Sequence, residues 1–187
     1  MPFRLKETVM ETYNLAQMYD APPMSWEEVT ARLDQGFNQG PGSQEGEPGR
    51  YTTWVSTINA DGGPHVNAVG AVWLDGSFYL VTGPGTRRGR NHARDPRCAL
   101  SLSVREFDLV VEGRVTRVLG DELERVAKHY HDDEGWPAEV DESGEAVTAP
   151  FNAQSAGPAP WHVFRIDATS AHAVATVEPY GATRWRF

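Results

Sequence analysis

The chain has 187 residues, of which 40% are hydrophobic, and this suits one domain with a single sizeable core. Its formal net charge of -9 argues against nucleic acid as a partner, and no apolar run reaches the roughly 20 residues of a membrane span. The single cysteine, Cys98, excludes an internal disulfide, and the charged N-terminus lacks the pattern of a signal peptide. We therefore expect a cytoplasmic protein with neither nucleic acid nor a membrane as its partner.

The first 23 residues show no clean periodicity and are predicted to form an N-terminal arm ahead of one domain, residues 24–187. A capping box, Ser25-Trp-Glu-Glu28, opens the first helix, and Trp26, Val29 and Leu33 then fall on one face. Gly36 is expected to end this helix. Residues 38–49 are rich in Gly and Pro and are predicted to form a loop.

Six or seven strands follow, most of them joined by short glycine turns. Residues 51–59, 65–74 and 78–82 are predicted to form an antiparallel meander, and 97–105 and 108–119 the next two strands. A helix lies between 87 and 95, another begins near Asp121, and 131–160 form a long loop. The last clear strands are 161–167 and 172–177, with the tail 183–187 as a further candidate. This pattern predicts a mainly β fold, a small closed antiparallel barrel with three helices packed outside it.

The most informative segment is the strand–turn–helix junction around Gly83-Pro84-Gly85. Thr86 is placed as a helix N-cap, and three arginines follow within four residues, Arg87, Arg88 and Arg90. Helix N-termini carry unpaired N–H groups, and guanidinium groups grip phosphate oxygens in pairs. Cations in the first helical turn oppose the helix dipole, which a bound anion would explain. The junction therefore indicates either a phosphate site or ordinary solvated charge.

Other catalytic motifs are weak or missing. His129 and His131 are two residues apart and face different sides of a helix, so no metal site is expected. The sequence has no Gly-x-Ser-x-Gly elbow, and Cys98 is predicted to point into the core as an inert thiol. No pair of general acid and base emerges, so no catalytic residue is assigned. If the protein is an enzyme, a bound cofactor is expected to carry the chemistry.

Taken in order, the segments from residue 24 to 187 resemble the pyridoxamine 5′-phosphate oxidase-like superfamily, which has a split β-barrel fold. The motifs that carry the resemblance are Trp54–Thr57, Asp61–Val66, Val72–Gly76, Tyr79–Thr82, Thr86–Arg88, Asn91 and Arg94–Arg97. The tail Thr183–Phe187 and the segment Gly135–Pro137 are similar to its actinobacterial flavin and deazaflavin oxidoreductase branch. The resemblance implies a homodimer with a flavin-type cofactor in a groove between the subunits.

The resemblance also implies a set of cofactor-binding residues. The phosphate would lie at the strand–turn–helix junction, the backbone of one strand would line the ring, and the C-terminal strand would close the site. The matching positions are Asn67, Ala68, Val69, Thr82, Thr86, Arg87, Arg88, Asn91, Arg184 and Trp185, with Asp108 near a further contact. Asn67 stands where the oxidase proper has an Arg, and Arg184-Trp-Arg186 replaces its Arg-x-His motif. Oxidation of pyridoxamine phosphate itself is therefore not expected.

Three functions are compatible with this pattern. The first is an oxidoreductase that transfers a hydride between the deazaflavin F420 and a small organic substrate, with Arg50, Arg90 and Arg94 lining an exit groove for the anionic tail of F420. The second is an oxidoreductase of the same fold with FMN, whose single phosphate would be held at the junction. The third is a carrier that binds a flavin or haem without turnover.

Overall fold

The computed structural model describes residues 10–37, 51–151, 153 and 156–187. The predicted loop at 38–49 lies outside the described residues. The strands are β1 (Glu11–Asn14), β2 (Thr53–Ile58), β3 (Pro64–Val69), β4 (Ala71–Leu74), β5 (Ser77–Thr82), β6 (Arg97–Ser103), β7 (Phe107–Arg117), β8 (Glu139–Val140), β9 (Val147–Thr148), β10 (His162–Ala175) and β11 (Ala182–Arg186).

Three α-helices accompany these strands: α1 (Trp26–Leu33), α2 (Arg87–Arg94) and α3 (Gly120–Asp132). The side chain of Ser25 accepts a hydrogen bond from the Glu28 amide, so the predicted N-cap of α1 is confirmed. The helix ends at Leu33, within the predicted limit set by Gly36. Among the described helices, none combines the length and the apolar character that crossing a membrane requires.

One antiparallel sheet carries most of the fold, with the strand order β1-β11-β10-β7-β6-β2-β3 and with β5 and β4 branching from β10. The 14-residue strand β10 is the junction. One of its edges pairs with β7 from Phe164 to Ala175. Its other edge is divided, since β5 pairs with His162–Ile166 and β11 with Ser170–Val174. The predicted mainly β, antiparallel split barrel is confirmed.

The described residues contain more strands than the six or seven predicted, for local reasons. Gly70 separates β3 from β4 within the segment read as one strand. The two last predicted strands form a single strand, β10, with a register shift between Ala168 and Ser170, where a bulge interrupts the apolar pattern. The predicted long loop contains the small hairpin β8–β9, and β1, within the predicted arm, pairs with β11.

The hydrophobic core has two parts, one inside the barrel and one between the barrel wall and α3. Strand β5 serves both parts: Phe78 and Leu80 face the interior, while Tyr79 and Val81 face the helix side. This explains why β5 reads as a continuous apolar run rather than an alternating one, because a strand covered on both faces has no polar face.

Polar contacts fasten α3 to the barrel wall. The Tyr79 hydroxyl donates to Glu122 Oε1 over 2.9 Å, and Arg165 Nη1 donates to the same oxygen over 2.8 Å. Arg165 Nε also donates to Asp167 Oδ1 over 2.7 Å, and the two carboxylates raise the pKa of the Arg165 guanidinium. Glu122 therefore links the helix to two neighbouring strands at once.

Gly113 on β7 marks the closest approach between the central strands. A Cβ atom there would overlap the backbone carbonyl of Asp167 and come within 3.1 Å of the Ala168 Cα atom, whereas a Cβ at Gly70 would meet nothing within 4 Å. We expect Gly113→Ala to lower the free energy of unfolding by about 1–3 kcal/mol, since a backbone contact cannot move aside. Gly70→Ala is the matched control and should change it by less than about 1 kcal/mol. Urea denaturation measures the free energy of unfolding of both variants. If Gly113→Ala and Gly70→Ala lowered it equally, the close approach at Gly113 would be contradicted.

Candidate functional site

The turn after β5 is built by its own hydroxyl groups. Thr86 caps α2: its Oγ1 accepts from the Gly89 amide over 3.0 Å and donates to the Gly83 carbonyl over 2.8 Å. The Thr82 and Thr86 hydroxyl oxygens are 3.0 Å apart. Because the single Thr86 hydrogen goes to Gly83, Thr82 is the donor between the two. Both threonine hydroxyl groups are therefore engaged within the turn, whereas Arg87 and Arg90 beside it are exposed.

Glycines allow the close packing around this turn. A Cβ at Gly89 would overlap the Gly83 carbonyl, so α2 lies directly against the turn. The Gly83 amide donates to the Ala156 carbonyl over 2.7 Å, and a Cβ at Gly157 would come within 2.9 Å of the Thr86 methyl group. The segment around 156–157 thus covers one side of the turn, while a Cβ at Gly85 would meet open space.

The first two arginines of α2 have opposite environments. Arg87 is exposed, and among the described residues it has no hydrogen-bond or ion-pair partner. Arg88 is only 2% exposed and donates from Nη2 to the Val81 carbonyl over 3.0 Å. Burial lowers the pKa of Arg88 to about 10, and the group stays charged at neutral pH. Arg87 is therefore the available cation of the pair, and Arg88 adds a buried positive charge behind it.

The other arginines considered for an exit groove hold backbone groups. Arg90 donates from Nη1 to the carbonyl of Gly85 over 2.5 Å, and Arg94 donates from Nη2 to Asn91 Oδ1 over 3.1 Å and to the carbonyl of Ile58. Arg50 lies outside the described residues. Arg90 and Arg94 are nevertheless exposed, so their charge still contributes to the potential at this end of the barrel.

Asn91 fastens α2 to the hairpin formed by β2 and β3. It is 3% exposed, and its Nδ2 donates to Thr57 Oγ1 over 2.9 Å and to Asn59 Oδ1 over 3.2 Å. The side chain is thus engaged within the protein on both sides. Its observed role is to fasten the middle of α2 to β2 and to the turn that follows β2.

Strand β3 places alternate residues on opposite faces. Asn67 lies opposite the fully buried Val55 and therefore faces the barrel side with Val69, which is 6% exposed, while Ala68 faces outward. Asn67 Nδ2 donates to the Ala68 carbonyl over 3.1 Å, but its Oδ1 is buried without a hydrogen-bond partner in the described structure. Buried acceptors are normally paired. This orphaned oxygen is suited to an N–H group of a ligand ring.

His65 was missed by the sequence reasoning. It lies two residues before Asn67 on the same face of β3 and pairs in register with Thr57. Burial lowers its pKa, and so do the nearby guanidinium groups of Arg87 and Arg88. The alternation of side chains along a strand is enough to put His65 on the same face as Asn67. Its position relative to α2 depends on how that helix is anchored, which the sequence does not show.

The C-terminal candidates lie elsewhere. Trp185 is fully buried in the barrel core, 5.2 Å between ring centroids from Trp26. Arg184 lies on the outer sheet face, opposite His172 on β10, whereas Thr82 lies opposite His162. Ten residues of strand between these partners correspond to roughly 30 Å. Within one chain, Arg184 and the turn after β5 are therefore not brought together.

Asp108 is exposed on the same outer face, in register between Ser103 and Val174. It lines a groove of about 770 Å³ together with Tyr51 and Trp54. The groove is separated from the junction at α2, so the structure gives two distinct regions for the predicted site residues: one at the α2 junction and one on the outer sheet face.

No alternative catalytic centre is evident in the described part of the chain. It contains no group of three or more His, Cys, Asp or Glu side chains arranged to hold a metal ion. The Cys98 thiol is buried, and burial raises its pKa to about 12, so it remains protonated. His129 Nδ1 lies 2.7 Å from Asp133 and His131 Nδ1 lies 2.8 Å from Asp132, which is ordinary pairing at the end of α3.

Comparison with known proteins identifies the family. The family model for pyridoxamine 5′-phosphate oxidase matches residues 43–175, which is most of the chain. The chain belongs to this family. No curated protein matches it.

Solved structures of other proteins share the fold of this pyridoxamine 5′-phosphate oxidase family member. The conserved hypothetical protein Rv2991 from Mycobacterium tuberculosis aligns with a TM-score of 0.52 and 23% identity, over 82% of this chain and 86% of that one. General Stress Protein 26 from Bacillus anthracis strain Sterne aligns with a TM-score of 0.51 and 14% identity, over 80% and 94% of the two chains. At these identities the likeness concerns the fold alone.

Two departures from the oxidase pattern are visible in this family member. The resemblance contrasted Asn67 with an arginine of the oxidase proper, and the structure places this neutral amide on the barrel-side face of β3. In the tail, Trp185 fills the core, while Arg184 and Arg186 both lie over the Tyr13 ring, with 5.0 and 5.4 Å to its centroid. These tail arginines are thereby held against β1 by cation–π contacts.

The anchoring of α2 can be tested at Asn91. Asn91→Ala should lower the free energy of unfolding by about 1–3 kcal/mol, because the buried Thr57 hydroxyl loses its donor. Thr57→Val removes the other partner, and we expect the double variant to cost less than the sum of the two single changes. Denaturant titrations of the four proteins measure this coupling. Additive costs would show that the hydrogen bond does not hold α2 to the hairpin.

Proposed function

We propose that this protein is an oxidoreductase that binds a phosphate-bearing flavin-type cofactor, F420 or FMN, and transfers a hydride between it and a small organic substrate. The observation that carries the proposal is that α2, which is fastened to the β2–β3 hairpin, begins with the exposed Arg87, which has no partner among the described residues, while Asn67 on β3 holds an orphaned acceptor. The Arg87 guanidinium suits a phosphate, and the Asn67 acceptor suits an N–H group at the edge of a heterocyclic ring. Family membership supports the same reading.

The residues of the chain would bind and orient the cofactor. Arg87 and the N-terminal end of α2 would take the phosphate, with the helix dipole and the buried Arg88 adding positive potential. Asn67 Oδ1 would accept from a ring N–H, and the buried side chain of Val69 would keep that part of β3 closed to water. The bound cofactor supplies the hydride chemistry, for which positioning matters more than a side-chain acid or base.

F420 and FMN differ beyond the shared phosphate. F420 carries an anionic oligoglutamate tail, and the exposed Arg90, beside the turn, and Arg94, at the other end of α2, would supply positive charge along the path of such a tail. FMN ends at its phosphate and would need only Arg87 and the α2 amides. Titration of the purified protein with each compound separates the two: flavin absorbance follows FMN, quenched deazaflavin fluorescence follows F420, and a Soret band after haem addition would instead favour the carrier function.

The phosphate site can be tested by Arg87→Ala. We expect binding of the preferred cofactor to weaken by about 10- to 100-fold, the loss of roughly 1.5–3 kcal/mol in charge-assisted hydrogen bonds. Arg125→Ala is the matched control, because it removes the same charge from a half-exposed side chain paired with Asp75 on another surface. Fluorescence titration gives the dissociation constants. Equal affinities of both variants and the parent protein would rule out a phosphate at α2.

We also propose that the protein acts as a homodimer whose interface includes the outer face of the sheet. Trp54, Val66 and Val174 are 48, 52 and 47% exposed on this face, which is unusual for large apolar side chains. Arg184 lies on the same face, at the opposite end of β10 from the phosphate turn of its own chain. In a dimer, Arg184 of one subunit would lie near the cofactor that the other subunit binds.

The dimer can be tested by Trp54→Glu. We expect light scattering to give about twice 20.7 kDa for the parent protein and about 20.7 kDa for the variant, since a charge would be buried at the interface. Leu119→Glu, at a side chain 49% exposed on another surface, should leave the mass unchanged. A parent protein of 20.7 kDa, or a Trp54→Glu variant that still dimerises, would count against this interface.

A further inference from the structure

We infer that Trp161 is a positioning residue of the candidate site: through Gly157 it holds Thr86 in the rotamer that caps α2, and it thereby sets how strongly the site prefers a phosphate-bearing ligand. This inference rests on the proposed function and deepens it, because it names the residue on which the phosphate preference depends. Trp161 is fully buried and acts through its neighbours rather than on the cofactor itself.

The indole of Trp161 is tied to the segment that covers the turn after β5. Its Nε1 donates to the Gly157 carbonyl over 2.7 Å. Among the described residues, this carbonyl is the only hydrogen-bond partner of the indole N–H group. A buried N–H group that loses its partner keeps the full cost of its desolvation, so the bond strongly favours one position of the Gly157 carbonyl.

Trp161 itself is held by elements other than the turn. Its backbone exchanges two hydrogen bonds with Val147 on β9, with N–O distances of 2.8 and 2.9 Å. Its ring lies 5.4 Å between centroids from the ring of Trp136, which follows α3 in the chain. The β8–β9 hairpin and the segment after α3 therefore fix the indole, which can act as a stationary support for residues 156–157.

Residues 156–157 contact the turn at two places. The Ala156 carbonyl accepts from the Gly83 amide over 2.7 Å, and a Cβ at Gly83 would lie 2.5 Å from this oxygen. A Cβ at Gly157 would come within 2.9 Å of the Thr86 methyl group, and Gly157 has a φ of +75°. Glycine is therefore favoured at position 157 both by its backbone conformation and by the limited space next to Thr86.

The contact with the methyl group controls the helix cap because threonine is branched at Cβ. Its methyl carbon and its Oγ1 are bound to the same atom, so they turn together about χ1. In the observed rotamer of Thr86, Oγ1 accepts from the Gly89 amide and donates to the Gly83 carbonyl, while the methyl group lies next to Gly157. A rotation that moved the methyl group away from Gly157 would take Oγ1 away from both partners. The position of Gly157 and the cap of α2 are therefore coupled.

Loss of this cap would weaken the binding of a phosphate more than the binding of a ring. An N-cap holds the first turn of its helix, and in α2 this turn begins with Arg87. The attraction of a helix N-terminus for an anion is confined to about this first turn. Asn67, the candidate acceptor for a ring N–H group, belongs to β3 rather than to α2. A ligand without a phosphate should therefore be insensitive to the support that Trp161 provides.

The test compares FMN with riboflavin, which has the same ring and no phosphate, by titration of flavin fluorescence. The ratio of the riboflavin to the FMN dissociation constant measures the contribution of the phosphate. We expect Trp161→Phe, which removes the N–H group and keeps an aromatic ring, to lower this ratio by about 3- to 10-fold, the effect of losing a helix cap. Trp136→Phe is the control and should keep the parental ratio, because the Trp136 indole makes no hydrogen bond in the described part of the chain.

A second variant, Gly157→Ala, reaches the same contact from outside the core and decides the question if Trp161→Phe does not fold. We expect it to lower the ratio by a similar factor. Gly144→Ala is its matched control, because Gly144 has a comparable φ of +71° but a Cβ there would meet nothing within 4 Å. Thr86→Ser keeps the capping oxygen and removes the methyl group, so Gly157→Ala should change the ratio much less in this background.

The outcomes separate this inference from the proposed function. If FMN binds the parent protein more tightly than riboflavin does and the variants that fold keep the parental ratio, the inference is overturned while the proposed function stands. The same conclusion follows if Gly144→Ala lowers the ratio as much as Gly157→Ala. If the protein binds F420 rather than FMN, F420 and its ring fragment without the phosphate replace the two flavins. If neither cofactor binds the parent protein, the proposed function fails, and this inference fails with it.

Discussion

The divided edge of β10 is the constraint on which the rest of the molecule depends. Strand β7 pairs along nearly the whole of β10, while β5 and β11 share the opposite edge at its two ends. A single strand thereby fixes the position of the turn after β5 and of the C-terminal strand, and it keeps them roughly 30 Å apart along its length. The register shift after Ala168 and the missing side chain at Gly113 allow β7 to follow β10 without a clash.

This arrangement concentrates the candidate site at one end of the barrel. The turn leaves β5, is covered by the segment around 156–157 and leads into α2, which is fastened to the β2–β3 hairpin. Because Asn91 ties α2 to Thr57, the exposed cation Arg87 and the strand that carries His65 and Asn67 are held in one geometry. The site therefore depends on contacts between α2 and the β2–β3 hairpin as much as on the turn itself.

The sequence predicted the elements that depend on local chemistry. The cap at Ser25, the turn at Gly83–Gly85, the Thr86 N-cap and the inward Cys98 all follow from residue type and spacing, and the structure confirms them. The merging of the last two predicted strands was missed, because a bulge in β10 breaks the apolar alternation without ending the pairing. The β8–β9 hairpin was missed because two-residue strands leave almost no periodic signal.

The site was harder to predict than the fold because it depends on tertiary register. Arg87 and Arg88 are neighbours of identical chemistry in the sequence, yet one is exposed and the other is buried. Their difference arises from the helix face that packs on the barrel, which residue type does not reveal. His65 became a candidate only when pairing with Thr57 and the position of α2 were both known.

The inner face of α2 gives a physical reason for a charged ligand at its start. Arg88 and His92, one turn apart, are 2 and 5% exposed, and burial with the nearby Arg88 lowers the pKa of His92 to about 4. The histidine therefore stays neutral, whereas the buried Arg88 keeps its positive charge. A buried cation interacts more strongly with an anion than a solvated one does, because the surrounding dielectric is low. The positive charge of Arg88 therefore adds to the potential at the first turn of α2, where the dipole of the helix acts in the same direction.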